Sequence, residues 1–292
     1  MSDFFDLPVE RLRPEGRAEI AYRRMGNGPP LLLLHGFPQT HAMWHATAPL
    51  LAERFTVIAA DLRGYGDSEA PEGAAQYSFR EMAADQAALM QALGFDRFHL
   101  VGHDRGARTA HRLALDHAAA VETLTVMDIV PTQHLLSELS HEVARDYYHW
   151  FFLSQPTPRP EKMIAADPDF FYESCLLGWG GGTLDDFDDR ALAAYRASWR
   201  RARTIEAMCN DYRAAIDVDL DLDTQDLGRK VDCPALVLYG GDGVMAQAYD
   251  VAATWRDRLA DMRCESIPGG HFFIDKSPGE TARRLLAFLP GG

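Results

Sequence analysis

Gly102-His103-Asp104-Arg105-Gly106 has the form G-x-Nuc-x-G, a sharp strand-to-helix turn that lifts a strained side chain off a sheet edge toward a helix N-terminus. Small residues at both flanks let strand and helix approach closely. The nucleophile position holds Asp, not Ser or Cys, and that residue type decides the chemistry. A carboxylate attacks a saturated carbon in a displacement and leaves an alkyl-enzyme ester. Ester and amide hydrolysis by a serine is excluded at this site. A plain surface turn is the other reading of Asp104, and the strand–helix context argues against it. His271, in Pro268-Gly-Gly-His-Phe-Phe, would activate the water that hydrolyses the ester. With 11 histidines in the chain a single one is usually structural, but the Gly-Gly-His loop after a late strand sets this one apart. An acid must orient it. Asp128 and Asp242 compete, and Asp128 is preferred because Val126-Met-Asp128-Ile-Val-Pro-Thr puts an acid squarely at a strand end.

Arg105 directly follows the nucleophile, and Arg108 lies one helical turn beyond it. Both fall at a helix N-terminus, itself a favourable site for an anion. Two guanidiniums there can hold a substrate carboxylate with forked, charge-assisted hydrogen bonds. They would fix the carbon under attack in line with Asp104 and reduce repulsion between two anions. The competing reading has both arginines paired with nearby acids and facing solvent.

These residues need a frame. Pro30–His35, Phe55–Ala60, Phe98–Gly102, Thr123–Asp128, Ala235–Tyr239 and Cys264–Ile267 read as short buried strands. Tyr77–Leu93, Arg105–His117 and Ser277–Phe288 read as helices. Strands separated by helices imply an α/β protein with a mostly parallel sheet covered on both faces. The alternation breaks between Pro131 and about Leu222, a stretch rich in aromatics and helix formers with no obvious strand. It reads as a helical cap, residues 131–221, inserted into a core of residues 1–130 and 222–292. Such an insertion lies over the carboxyl ends of the strands, where open α/β sheets bind ligands.

The 292 residues suit one α/β unit with an insertion. A net charge of −14 disfavours nucleic acid and anionic membrane surfaces as partners. It does not disfavour a small anion, since bulk charge is screened beyond about 8 Å at physiological salt. Cys175, Cys209, Cys233 and Cys264 form neither a C-x-x-C pair nor a zinc pattern, and read as reduced, buried thiols of a cytoplasmic protein. No signal peptide and no membrane-spanning run is seen.

His35-Gly-Phe-Pro-Gln, Asp61-Leu-Arg-Gly-Tyr-Gly-Asp-Ser68, the Asp elbow and the Gly-Gly-His loop resemble the epoxide hydrolase and dehalogenase branch of the α/β-hydrolase fold. More narrowly, Gly102-His-Asp-Arg-Gly-Ala-Arg108, Asp128-Ile-Val-Pro-Thr and the pair His149-Trp150 are similar to the fluoroacetate dehalogenases, over nearly the whole chain. Many members of the wider family carry an acid three residues after the glycine that ends the strand before Asp242; here that position is Gly243. The resemblance implies a hydrolytic dehalogenase of short 2-haloacids, without cofactor or metal, and a homodimer. It also places His149, Trp150 and Tyr212 around the halogen. Fluoride is a poor, strongly hydrated leaving group and needs such hydrogen-bond donors. Aromatic residues of a cap are more often packing, which keeps Trp179 open. Backbone N–H groups of Phe37 and Arg105 would form the oxyanion hole, with Pro38 shaping the turn. An epoxide hydrolase is the first rival, with Tyr147, Tyr148, Tyr172, Tyr195 and Tyr212 as candidate ring-opening acids; the arginine pair argues against it. A haloalkane dehalogenase would have no use for that pair, and a non-catalytic binding protein would be expected to lack Asp104 or His271.

Overall fold

The apolar runs become six consecutive strands of one eight-stranded sheet in the computed structural model, which describes residues 3–178 and 182–290. The strands are β1 (Glu10–Leu12), β2 (Ile20–Met25), β3 (Pro30–Leu34), β4 (Thr56–Ala60), β5 (Phe98–His103), β6 (Val121–Met127), β7 (Ala235–Gly240) and β8 (Met262–Ile267). Their order is β1-β2-β4-β3-β5-β6-β7-β8. From β4 to β8 all pairings are parallel. Every residue of β4 and β5 is buried, as expected of strands covered on both faces.

β1 and β2 are absent from the reading of the sequence. They pair antiparallel with each other, and β2 pairs antiparallel with β4. They carry Arg11, Arg23 and Arg24 and leave part of their length exposed, so no continuous apolar run betrays them. The expected helices form over Phe79–Ala92, Arg105–Asp116 and Pro278–Phe288. Ser78 caps the first by accepting the Glu81 N–H at 3.3 Å, in a Ser-x-x-Glu sequence typical of helix starts.

Between β6 and β7 the described residues form helices and turns without a strand. The helix Ala202–Ala214 runs through a π-helical turn, Ala215–Asp219, into Leu220–Gln225, so helix crosses residue 222 without a break. Cys175 and Cys209 are buried, but Cys233 and Cys264 are only half-buried, against the expectation for all four; each is a free thiol. Among the described residues no helix is long and apolar enough to cross a membrane.

The glycines around the elbow are close-approach positions. A Cβ on Gly102 would sit 2.3 Å from the Gly106 carbonyl oxygen, and one on Gly106 would sit 2.3 Å from the His35 carbonyl oxygen. Both neighbours are backbone and cannot rotate away. Gly102→Ala is therefore expected to destabilise the protein by about 1–3 kcal/mol or to prevent folding. Urea unfolding checks this, and an unchanged midpoint would show that strand and helix can part at no cost.

Candidate active site

The carboxyl ends of the parallel strands bring the expected residues together. Asp104 follows β5, Asp128 follows β6, and His271 lies in the loop after β8. In the β5–β6 register His103 stands beside Met127, so the two acids leave adjacent strands at the same level. Both have positive φ, 47° at Asp104 and 52° at Asp128. Few non-glycine residues adopt such φ values, and strain of this kind gathers at functional sites.

Asp128 Oδ2 lies 2.7 Å from His271 Nδ1, and its Oδ1 accepts the Gly240 N–H at 2.8 Å. A Cβ on Gly240 would meet the Gly270 carbonyl oxygen at 2.4 Å, so glycine there is what lets the histidine loop close onto β7. Asp242 is exposed, and its carboxylate accepts the Gly269 N–H at 2.9 Å. It braces the loop and does not face the histidine. His271 Nε2 lies 4.0 Å from Asp104 Oδ2. The other oxygen, Oδ1, accepts the Phe37 N–H at 2.9 Å.

The two carboxylate oxygens of Asp104 thus differ. Burial pushes its pKa up, but His271, His103, Arg105 and the Phe37 N–H more than offset this and leave it below the ordinary value. His271 moves the other way. Burial lowers it, while the hydrogen bond and charge of Asp128 and the charge of Asp104 raise it above the ordinary value. His103, the variable residue before the nucleophile, is driven down to about 4 by burial and stays neutral. It donates Nε2–H to the His271 carbonyl at 2.9 Å. Nothing in the sequence marks that histidine beyond its place inside the elbow motif.

Both guanidiniums are buried, not turned to solvent. Their partners differ. Arg105 Nε donates to Asp211 Oδ2 at 2.9 Å, and its Nη2 donates to the Asp211 carbonyl at 2.9 Å and to Oδ1. The fork expected to face a substrate is therefore occupied by the Asp211 carboxylate, and Nη1 remains without a partner among the described residues. Arg108 Nη1 donates to the Val130 carbonyl at 3.0 Å and the Thr132 hydroxyl at 2.9 Å, both neutral acceptors. No carboxylate among the described residues lies within ion-pair distance of it. Burial, then the charge of Arg105, pull Arg108 down to about 10, which still leaves it a cation at neutral pH. The Trp150 ring brings the two together, with guanidinium carbons 5.0 and 4.9 Å from its centroid.

The candidate halogen donors cluster around Tyr212. His149 and Trp150 lie edge-on to its ring at 5.4 and 5.3 Å. Phe37 stacks on His149 at 5.7 Å and meets Tyr212 edge-on at 5.2 Å, which ties the cluster to the backbone that holds Asp104. Trp150 Nε1 and the Tyr212 hydroxyl are buried donors without partners among the described residues. Burial holds the Tyr212 hydroxyl protonated and His149 neutral. Of the other tyrosines, Tyr148 is 47% exposed and Tyr195 is hydrogen-bonded with Gln39 and Asp275. Tyr172 is buried beside Phe37 with an unpartnered hydroxyl. Trp179 lies outside the described residues. The sequence reading missed Asp211, although it immediately precedes Tyr212.

The arrangement sets a buried carboxylate, Asp104, beside a histidine–acid couple and a guanidinium with only neutral acceptors. A family model described as alpha/beta hydrolase fold matches residues 29–278. A fluoroacetate dehalogenase from Burkholderia sp is 56% identical over 90% of this chain and 88% of its own. A soluble epoxide hydrolase from Corynebacterium sp. (strain C12) is 30% identical over 92% of each. Among solved structures, an alpha/beta hydrolase from Nostoc sp PCC 7120 superposes with a TM-score of 0.95 at 46% identity, covering 98% of both chains. The chain belongs to the α/β-hydrolase family of enzymes, on the branch that holds the dehalogenase and the epoxide hydrolases.

Proposed function

We propose that the protein hydrolyses the carbon–halogen bond of short 2-haloacids, converting fluoroacetate and water into glycolate, fluoride and a proton. The observation that carries this reading is Arg108. A buried cation beside the nucleophile, with only neutral acceptors, is costly unless an anionic ligand completes it. The substrate carboxylate docks on Arg108 and on the Nη1 edge of Arg105. Asp104 Oδ2, the oxygen not held by Phe37, attacks the halogen-bearing carbon, and the bonding pair leaves with the halide toward His149, Trp150 and Tyr212. His271, oriented by Asp128, takes a proton from water, which attacks Cγ of the Asp104 ester. Negative charge then develops on Oδ1, already bonded to the Phe37 N–H, with the Arg105 N–H at the first helical position as second donor. Collapse releases glycolate and restores the carboxylate.

Residues 131–221 act in this scheme as a cap on a core of residues 1–130 and 222–292. The free cysteines fit a cytoplasmic setting, and a homodimer is the assembly this reading carries with it.

One specific observation favours the rival chemistry: the buried, unpartnered hydroxyls of Tyr172 and Tyr212 could both donate to an epoxide oxygen. Halide release from fluoroacetate and chloroacetate, measured beside hydrolysis of styrene oxide, decides between them. Turnover of the haloacids with no more than trace epoxide hydrolysis is expected. Epoxide turnover alone would end the haloacid reading.

His271→Asn should form the ester and fail to hydrolyse it. After incubation with chloroacetate, mass spectrometry should find one carboxymethyl group on the peptide that carries Asp104; an unmodified peptide would remove the covalent step.

The charge of Asp104 helps raise His271 in the free enzyme, and esterification removes that charge. His271 must be neutral to act, so ester hydrolysis is lost as pH falls through its pKa. That pKa is expected to be lower in the ester than in the resting enzyme. Single-turnover ester decay across about pH 5–8, set against an NMR titration of His271 in free enzyme, tests this. A decay rate without pH dependence would exclude His271 as the base.

A further inference from the structure

Asp211 has no place in the scheme above, yet it is among the most completely enclosed charges in the molecule. It is 0% exposed, as are Arg105 and Tyr65, both of which donate to it. The Tyr65 hydroxyl donates to Oδ2 at 2.6 Å, beside the Arg105 Nε bond at 2.9 Å. The acid sits on the cap helix Ala202–Ala214 and its partner begins the elbow helix of the core. The next residue, Tyr212, carries a ring 4.3 Å from the Arg105 guanidinium carbon.

Counting charges shows what this does to the pocket. Arg105 is matched by Asp211. Arg108 is matched by no acid of its own, so while His271 faces the nucleophile, Arg108 is the guanidinium left to receive an incoming anion. We propose that Asp211 is a specificity-determining residue that cancels the Arg105 charge, restricting the pocket to monocarboxylates while aiming the single free Nη1 edge at the substrate. A second substrate carboxylate, as in a halosuccinate or halomalonate, would find no cation left. The restriction is strong because a charge a few ångströms away in a dry site acts on a ligand far more than the same charge in water. This deepens the haloacid reading and rests on it for the identity of the substrate.

The test separates binding from turnover. Calorimetric titration with acetate and with malonate measures how many charges the site accepts, and halide release from chloroacetate is followed on the same preparations. Asp211→Asn keeps the shape and removes the charge. It should bind acetate at least about threefold more tightly, admit malonate, and lose about tenfold or more in kcat, because the freed guanidinium no longer holds the carboxylate in line. A residue with only a structural role would weaken every ligand, so tighter anion binding with slower turnover is the signature. Acetate affinity that is unchanged or weaker, or continued exclusion of malonate, overturns the assignment. If Asp211→Asn does not fold, the double variant Arg105→Met/Asp211→Asn decides. It removes both charges together and should keep the wild-type preference for acetate over malonate; loss of that preference overturns the assignment. A wild-type protein that prefers acetate but releases no halide would refute the dehalogenase reading and leave Asp211 judged on binding alone. One that binds malonate as tightly as acetate refutes the Asp211 assignment whatever its turnover.

Discussion

A carboxylate that is to act as a nucleophile must stay ionised in a site that admits little water. Asp104 is 4% exposed, and burial by itself pushes its pKa up, toward the protonated form. The surroundings of the site answer that constraint. Histidine and guanidinium charges hold the carboxylate ionised, and one backbone N–H binds the oxygen that does not attack. The same cations must then tolerate an arriving anion, which is why the partners of the arginines matter as much as their presence. A neutral substrate would make no such demand, and a buried arginine with only carbonyl and hydroxyl acceptors would be a net cost.

Backbone geometry, more than side-chain choice, makes this balance attainable. Two adjacent parallel strands end in residues of positive φ, turning Asp104 and Asp128 out of the sheet at one level. Glycines at 102, 106 and 240 let the elbow helix and the histidine loop approach to distances no Cβ would allow. The early motifs serve the same end. His35 Nε2 accepts the Leu62 N–H, and the Asp61 carboxylate accepts the backbone N–H groups of His41 and Asp67. The tips of β3 and β4 are thereby locked, and Phe37 is held where its N–H meets Asp104.

What could be read in the sequence follows from how local each signal is. The elbow, the Gly-Gly-His loop and the parallel strands are short contiguous patterns. Their identities dictate local geometry, and all of them stand in the structure as read. Asp128 could be preferred to Asp242 because one sits at a strand end and the other in a glycine loop, and the 2.7 Å contact with His271 belongs to the former. The first two strands escaped because they lie antiparallel at one end of the sheet, are short or interrupted by arginines, and so show no strand-length apolar run. The occupation of Arg105 by Asp211 escaped for a different reason: the partners are 106 residues apart and belong to different layers, so no spacing rule connects them. Sequence patterns identify which groups are present near a site; which of them already neutralise one another is a property of the folded contact.

That last property separates the substrate classes this architecture can serve. In the proposed scheme Asp104, His271 and Asp128 would displace a leaving group and clear the ester alike for a halide and for an epoxide oxygen, so the core sheet does not distinguish the two. In that scheme the distinction arises where the helices between β6 and β7 meet the sheet. His149, Trp150 and Tyr212 offer donors to whatever departs, while Asp211, on the same helix as Tyr212, takes up one of the two guanidiniums. On the proposed reading, the pairing of Asp211 with Arg105 leaves Arg108 as an electrostatic vacancy for one carboxylate. Changing the charge on that helix would change the class of molecule admitted without touching a reacting atom.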